Sequence, residues 1–172
     1  MWWLAVFLVA INVLWAGPAF LGRRTLREGD EAPAFTLPRI DDPGSDVSLG
    51  SLRGSAVMLV FWATWCDSCV AEIPTIAQVA RKYSGRGLEV VGMNLDPGER
   101  AGVLAFLRAR DVGYPNVGVD EATSSLYRVD LLPTLYLVDR GGRICRGFTG
   151  RVGARRLARA VEACIATGNP GS

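Results

Sequence analysis

AVMLVFWATWCDSCVAEIP, from Ala56 to Pro74, is the stretch on which the fold turns. Ala56 to Ala63 is a near-continuous apolar run. A strand buried on both faces has this pattern, so a parallel or mixed central sheet is implied. From Cys66 to about Tyr83 the spacing changes. Ile73, Ile76, Ala77, Ala80 and Tyr83 recur at intervals of three and four, which predicts a helix, with Pro74 inside it as a point of kinking. Cys66 and Cys69 stand where the strand gives way to the helix.

Outward from this unit the alternation continues. LEVVGMNL, 88–95, predicts a second buried strand. Residues 99–110 place Val103, Leu104, Phe106 and Leu107 against Arg100, Arg108 and Arg110, an amphipathic helix. A short strand near Val117–Val119 and a helix near Glu121–Tyr127 follow. TLYLVD, 134–139, and RICRGF, 143–148, flank Gly141-Gly142, a hairpin signal. Leu157, Val161, Cys164 and Ile165 give one apolar face to a last helix, 152–166, and Gly168, Asn169 and Pro170 end it. Before Ala56, FTLPRI is an edge segment broken by Pro38, and VSL is its candidate hairpin partner. The order β-α-β-α-β-α-β-β-α predicts an α/β fold, a central mixed sheet flanked by helices.

Composition bounds the function. The 172 residues suffice for one domain, and 19 basic against 17 acidic residues leave a net charge of +2, which does not point to nucleic acid. There is no histidine. That absence removes Ser-His and Cys-His catalysis, His-ligated zinc and a His pH switch. Four cysteines are too few for a disulfide scaffold in a chain of this size.

The segment Trp2 to Gly22 carries no charge. At 1.5 Å per residue it reaches about 30 Å, the thickness of a bilayer's hydrocarbon core. Residues 1–22 are therefore expected to be a transmembrane helix, an anchor or signal-anchor, with a cleaved signal peptide as the rival reading. Residues 23–34, polar and containing Gly29 and Pro33, are expected as a linker, 35–168 as the folded domain and 169–172 as a tail. Arg23, Arg24 and Arg27 follow the apolar segment and, by the positive-inside rule, favour a cytoplasmic domain.

For the cysteine pair, four-cysteine zinc sites use two close pairs, and Cys145 and Cys164 are far apart in sequence, on a strand and a helix. A purely structural bond between Cys66 and Cys69 closes a tiny loop, where loop-closure stabilisation is smallest. Redox exchange fits the position. Cys66 at a helix start has amide groups and the positive dipole end to stabilise a thiolate, and Cys69 one turn on can attack a mixed disulfide. The negative Asp67 next to Cys66 opposes that stabilisation, unless it caps the helix and is partly neutralised.

EGDEAPAFTLP, VSLGSLRGSAVMLVFWATWCDSCVAEIP and YRVDLLPTLYLVDRGGRI together resemble the thioredoxin-like fold, and within it the TlpA/ResA branch of membrane-tethered thiol-disulfide oxidoreductases. The resemblance covers about 30–166. It implies Cys66 as the attacking thiol, Cys69 as the resolving one and Pro133 as a cis-proline facing them, with Leu132 offering its main chain to an extended substrate and Trp65 bordering the thiol. It implies a functional role for Glu72, whose alternative is a solvated surface carboxylate. Its partners are protein disulfides and an upstream membrane thiol donor; no cofactor and no metal is implied. The domain is expected on the extracytoplasmic, periplasmic side, because long domains translocate largely regardless of flanking charge. Client systems in the branch include cytochrome c maturation and general disulfide reduction.

One departure is Val60, where the broad group often carries a buried Asp; a proton relay through that position is absent, and Glu72 is the nearest candidate to replace it. Cys145 and Cys164 are outside the family motif; a buried free thiol at Cys164 and a second disulfide between them are both open. Two other functions compete. APAFTLP also resembles the start of peroxiredoxin-type peroxidases, but Ala63 stands where those sites use Thr or Ser. A non-catalytic membrane-tethered binding module is the third.

Overall fold

Thr36–Pro38 (β1) and Asp46–Ser48 (β2) form an antiparallel pair with Leu37 opposite Val47. A short 3-10 turn, Gly50–Leu52, leads into Ala56–Trp62 (β3), of which all seven residues are buried. Then come Asp67–Tyr83 (α1), Leu88–Asn94 (β4), Arg100–Ala109 (α2), Asn116–Gly118 (β5) and Glu121–Leu126 (α3). Thr134–Val138 (β6), Ile144–Thr149 (β7) and Ala154–Ala166 (α4) complete the chain order. The structure is a computed structural model that describes residues 25–98 and 100–167. The expected anchor 1–22, the first residues of the expected linker and the tail 169–172 lie outside the described residues. Among the described residues no helix is long and apolar enough to cross a membrane.

The central sheet has the order β5-β4-β3-β6-β7. β3 and β4 are parallel, as are β4 and β5, while β6 runs antiparallel to both β3 and β7. The mixed sheet expected from the apolar run of β3 is thus present, with β3 at its centre. Alternation along the strands separates two cores. Met58, Val60, Leu135 and Leu137 pack with Ile76 and Val79 of α1 and with Leu157 and Val161 of α4. Leu59, Phe61, Met93 and Tyr136 pack on the opposite face with Phe35, Leu37, Val47 and Tyr127. A third apolar cluster at the end of β3 joins Trp62 and Ala63 to Cys66, Cys69 and to Val103 and Leu107 of α2.

The expected linker is partly a built element. Leu26 and Ala32 are buried, the Gly29 amide donates to the Ile144 carbonyl at 2.8 Å, and the Ile144 amide donates to the Asp30 carbonyl at 2.8 Å. The Ala32 amide donates to the Gly142 carbonyl at 2.9 Å. Residues 26–34 therefore belong to the folded unit that the sequence places from 35 onward. Their polar composition hides this because the attachment is made largely by main chain at the outer edge of β7, with a Glu28–Arg146 ion pair and two inward apolar side chains, Leu26 and Ala32, beside it. The last helix starts two residues later than expected, since Val152 and Gly153 continue the loop and Gly153 is extended at φ −60°, ψ 141°.

Candidate active site

Cys66 is the N-cap of α1, with extended backbone at φ −92° and ψ 95°. Its Sγ accepts the Cys69 N–H at 3.2 Å and lies 3.4 Å from Ser68 Oγ. The sulfur thus occupies the place that a Ser or Asp oxygen takes in an ordinary cap, at the positive end of a 17-residue helix. Asp67 does not cap; it is the first helical residue and its side chain is exposed. Cys66 and Cys69 form a disulfide with Cα atoms 5.2 Å apart. Both residues are buried, Cys66 the less deeply at 7% exposure against 3%. Trp65, in contrast, is 64% exposed beside them.

The loop that delivers Cys66 is held from β4. Asp96 accepts the Thr64 amide at 2.8 Å, the Thr64 hydroxyl, and the Asn94 side-chain amide at 2.6 Å. The Leu95 amide donates to the Trp62 carbonyl at 2.9 Å. Trp62 is more than packing. Its indole Nε1 donates to Asn116 Oδ1 at 3.1 Å, while Asn116 Nδ2 donates to the Tyr114 carbonyl at 2.9 Å. Phe106 stacks on Trp62 with ring centroids 5.5 Å apart, and the Arg110 guanidinium sits 3.6 Å over Phe106. Neither Asp96 nor Asn116 stands out in the sequence. The available signal is Gly92, paired with Asn116 across β4 and β5, where a missing side chain makes room for a large polar one.

The Leu132–Pro133 peptide bond is cis. The Gly150 amide donates to the Pro133 carbonyl at 2.8 Å. Leu132 packs against the cluster that contains Cys66 and Cys69, so this turn and the cysteine pair share one end of the sheet. Among the described residues no partner takes the main-chain N–H or C=O of Leu132. Leu131, next in line, is 66% exposed.

Glu72 is buried, which overturns the solvated-surface alternative. One carboxylate oxygen accepts the Val152 N–H at 2.5 Å, and Oε2 is buried with no partner among the described residues. Burial pushes the carboxyl above its ordinary range, and the Val152 amide and the Arg151 charge offset some of this. Three residues after Cys69 on α1, Glu72 lies on the same side of the helix as the resolving position. The opposite wall comes from the loop before α4, a contact that helical spacing cannot reveal. Cys145 and Cys164 are joined, with Cα atoms 5.7 Å apart, which resolves the open pair in favour of the disulfide. Among the described residues no cluster of three or more His, Cys, Asp or Glu side chains is arranged to hold a metal ion.

With this geometry in place, comparisons with known proteins give a consistent picture. The AhpC/TSA family matches residues 28–146, more than half of the chain. The thiol-disulfide oxidoreductase ResA of Bacillus subtilis (strain 168) is 32% identical over 148 residues, covering 86% of this chain and 81% of that protein. ResA of Oceanobacillus iheyensis is 38% identical over 135 residues, covering 76% of this chain and 69% of its own. Among solved structures, a candidate thiol:disulfide interchange protein DsbE of Chlorobium tepidum superposes with a TM-score of 0.74 at 32% identity, over 82% of this chain and 99% of that one.

Proposed function

The chain belongs to the AhpC/TSA family and is a thiol-disulfide oxidoreductase, and from that premise we propose that it works as a reductant of protein disulfides. The observation that carries the reading is the Cys66 sulfur at the cap of α1, accepting the Cys69 amide. In the reduced protein the Cys66 thiolate attacks one sulfur of a substrate disulfide. That S–S bond breaks, the other substrate sulfur leaves as a thiol, and a mixed disulfide forms. Cys69 then attacks Cys66, the second substrate thiol leaves, and the Cys66–Cys69 disulfide seen here is the product state. Two electrons from a thiol donor reopen it.

Glu72 is the group placed to hold the Cys69 proton, since Val60 leaves no acid on β3. The substrate chain lies along the cis-Pro133 turn, pairing with the free N–H and C=O of Leu132, and Trp65 contacts its apolar side chains. The direction follows from charge. Asp67 beside Cys66 and Glu72 near Cys69 make the thiolate costlier, which destabilises the reduced form and partly cancels the helix dipole, itself worth only ~0.3–1 kcal/mol near the surface.

The apolar segment 1–22 serves as a membrane anchor with the domain on the extracytoplasmic side, where substrate disulfides persist, and a membrane thiol carrier is the donor. The clients are general protein disulfides or apocytochrome cysteines; the LLPT sequence at 131–134 lacks the Pro-Glu-Thr pattern of the dedicated cytochrome-maturation relatives, which favours the former. A dithiothreitol redox titration followed by Trp fluorescence tests the direction. The potential is expected nearer the roughly −270 mV of thioredoxin than the roughly −120 mV of DsbA. A value near the latter makes the protein an oxidant, and turnover of peroxide in place of insulin disulfides makes it a peroxidase.

A further inference from the structure

Cys145 on β7 and Cys164 on α4 are not used in the exchange just described. Their Cα separation of 5.7 Å falls within the roughly 4.4–6.8 Å that a disulfide spans. Cys164 is buried with Leu157 and Val161, and Cys145 packs against the same cluster. The two pairs sit at opposite ends of helices. Cys66 caps the start of α1, where about half a positive charge favours a thiolate. Cys164 lies in the last turn of α4, at the end that carries about half a negative charge, in apolar surroundings that disfavour the thiolate further.

We propose that Cys145–Cys164 is a locked crosslink, closed in the working protein and retained through the catalytic cycle, so that the four cysteines divide into one exchanging pair and one permanent pair. Closing it removes two electrons and two protons from the thiols. The oxidant is a second disulfide, of an oxidising protein or a small molecule, which leaves as two thiols. Opening it requires an attacking thiolate either to reach the buried Cys164 sulfur or to enter at the half-buried Cys145 and expel the poorly stabilised Cys164 thiolate, so exchange is slow. The crosslink also encloses residues 146–163. That loop carries the Gly150 amide on the Pro133 carbonyl and the Val152 amide on Glu72. The permanent pair therefore ties down the wall of the exchanging pair.

The test titrates the oxidised full-length protein with dithiothreitol at graded ratios of reduced to oxidised form, quenches with iodoacetamide and maps the labelled peptides. Where Cys66 and Cys69 are half labelled, Cys145 and Cys164 are expected to be labelled to less than about a tenth, opening only after denaturant is added. Equal labelling of the two pairs throughout, or labelled Cys145 and Cys164 while Cys66–Cys69 is still closed, overturns the proposal. The double variant Cys145→Ala/Cys164→Val is expected to melt about 5–15 °C lower and to keep its insulin reduction within about twofold. A melting temperature unchanged within a degree also overturns it, and the labelling experiment stands whether or not the variant folds.

Discussion

Glu72 brings two carboxylate oxygens to a place that offers, among the described residues, one donor, the Val152 amide. Because burial raises its pKa, the folded chain binds that proton more tightly than the unfolded chain does. The resulting stability is fully present below the ordinary carboxylate range and is lost as pH rises through the raised value. Glu72→Gln keeps the acceptor for Val152 and discards the charge. Its melting temperature at pH 7 is expected to equal or exceed that of the wild type, with any excess shrinking toward pH 4. The pH profile of thiol reactivity is expected to shift with it; an unchanged profile separates Glu72 from the chemistry. For the sulfurs, iodoacetamide on the reduced protein is expected to label Cys66 faster than Cys69, Cys145 or Cys164, since Cys66 has the cap position and the greater exposure of the redox pair. Preferential labelling of Cys69 reverses the assigned roles. Cys66 and Cys69 are legible in the sequence because their setting is local, a strand end and a helix start within a few residues. The burial of Glu72 is not, because its partner lies 80 residues away.

β4 and β5 meet at Gly92 and Asn116, and that contact supports the Trp62 indole. A Cβ on Gly92 would meet the Asn116 side chain, which is held by its own bond to Tyr114 and cannot simply turn away. Gly92→Ala is expected to lower stability by ~1–3 kcal/mol in urea unfolding and to quench or shift Trp62 fluorescence. Adding Asn116→Ala removes the obstacle, so the two losses are expected to be less than additive. Full additivity shows that the collision is relieved elsewhere. The elements themselves divide by how they announce their burial. β3 and β4, flanked on both sides, are apolar throughout and legible from composition alone. The segment 26–34 joins the sheet through main-chain bonds, which leave no mark on side-chain identity.

The chain from Leu26 to Ile40 crosses one face of the central sheet from edge to edge. At one end it bonds to Gly142 and Ile144 beside β7. At the other, the Ile40 amide donates to the Asn116 carbonyl at 2.7 Å, beside β5, and Arg39 bridges to Val117. Phe35 and Leu37 cover the apolar face between. Both edge strands thus have their open hydrogen-bonding rows partly occupied by one stretch. Removing residues 1–24 is expected to leave a folded monomer, whereas removing 1–40 is expected to produce soluble aggregates, read by size-exclusion chromatography with light scattering. A monomeric 41–172 chain refutes the role of this stretch as edge cover. The course of the stretch has a mechanical consequence as well. Any pull on the amino end meets the Leu26 amide on the Tyr136 hydroxyl and the Glu28–Arg146 ion pair, and then the rim of the sheet at Gly29 to Ala32, where bonds to a lateral strand would give way in succession, as a zip opens. β7 is the strand that receives this load, and it is also the strand bolted to α4 through Cys145 and Cys164. A domain pulled in this way is tugged at its margin while the tension stops at a covalent rivet, short of the cysteines that trade electrons.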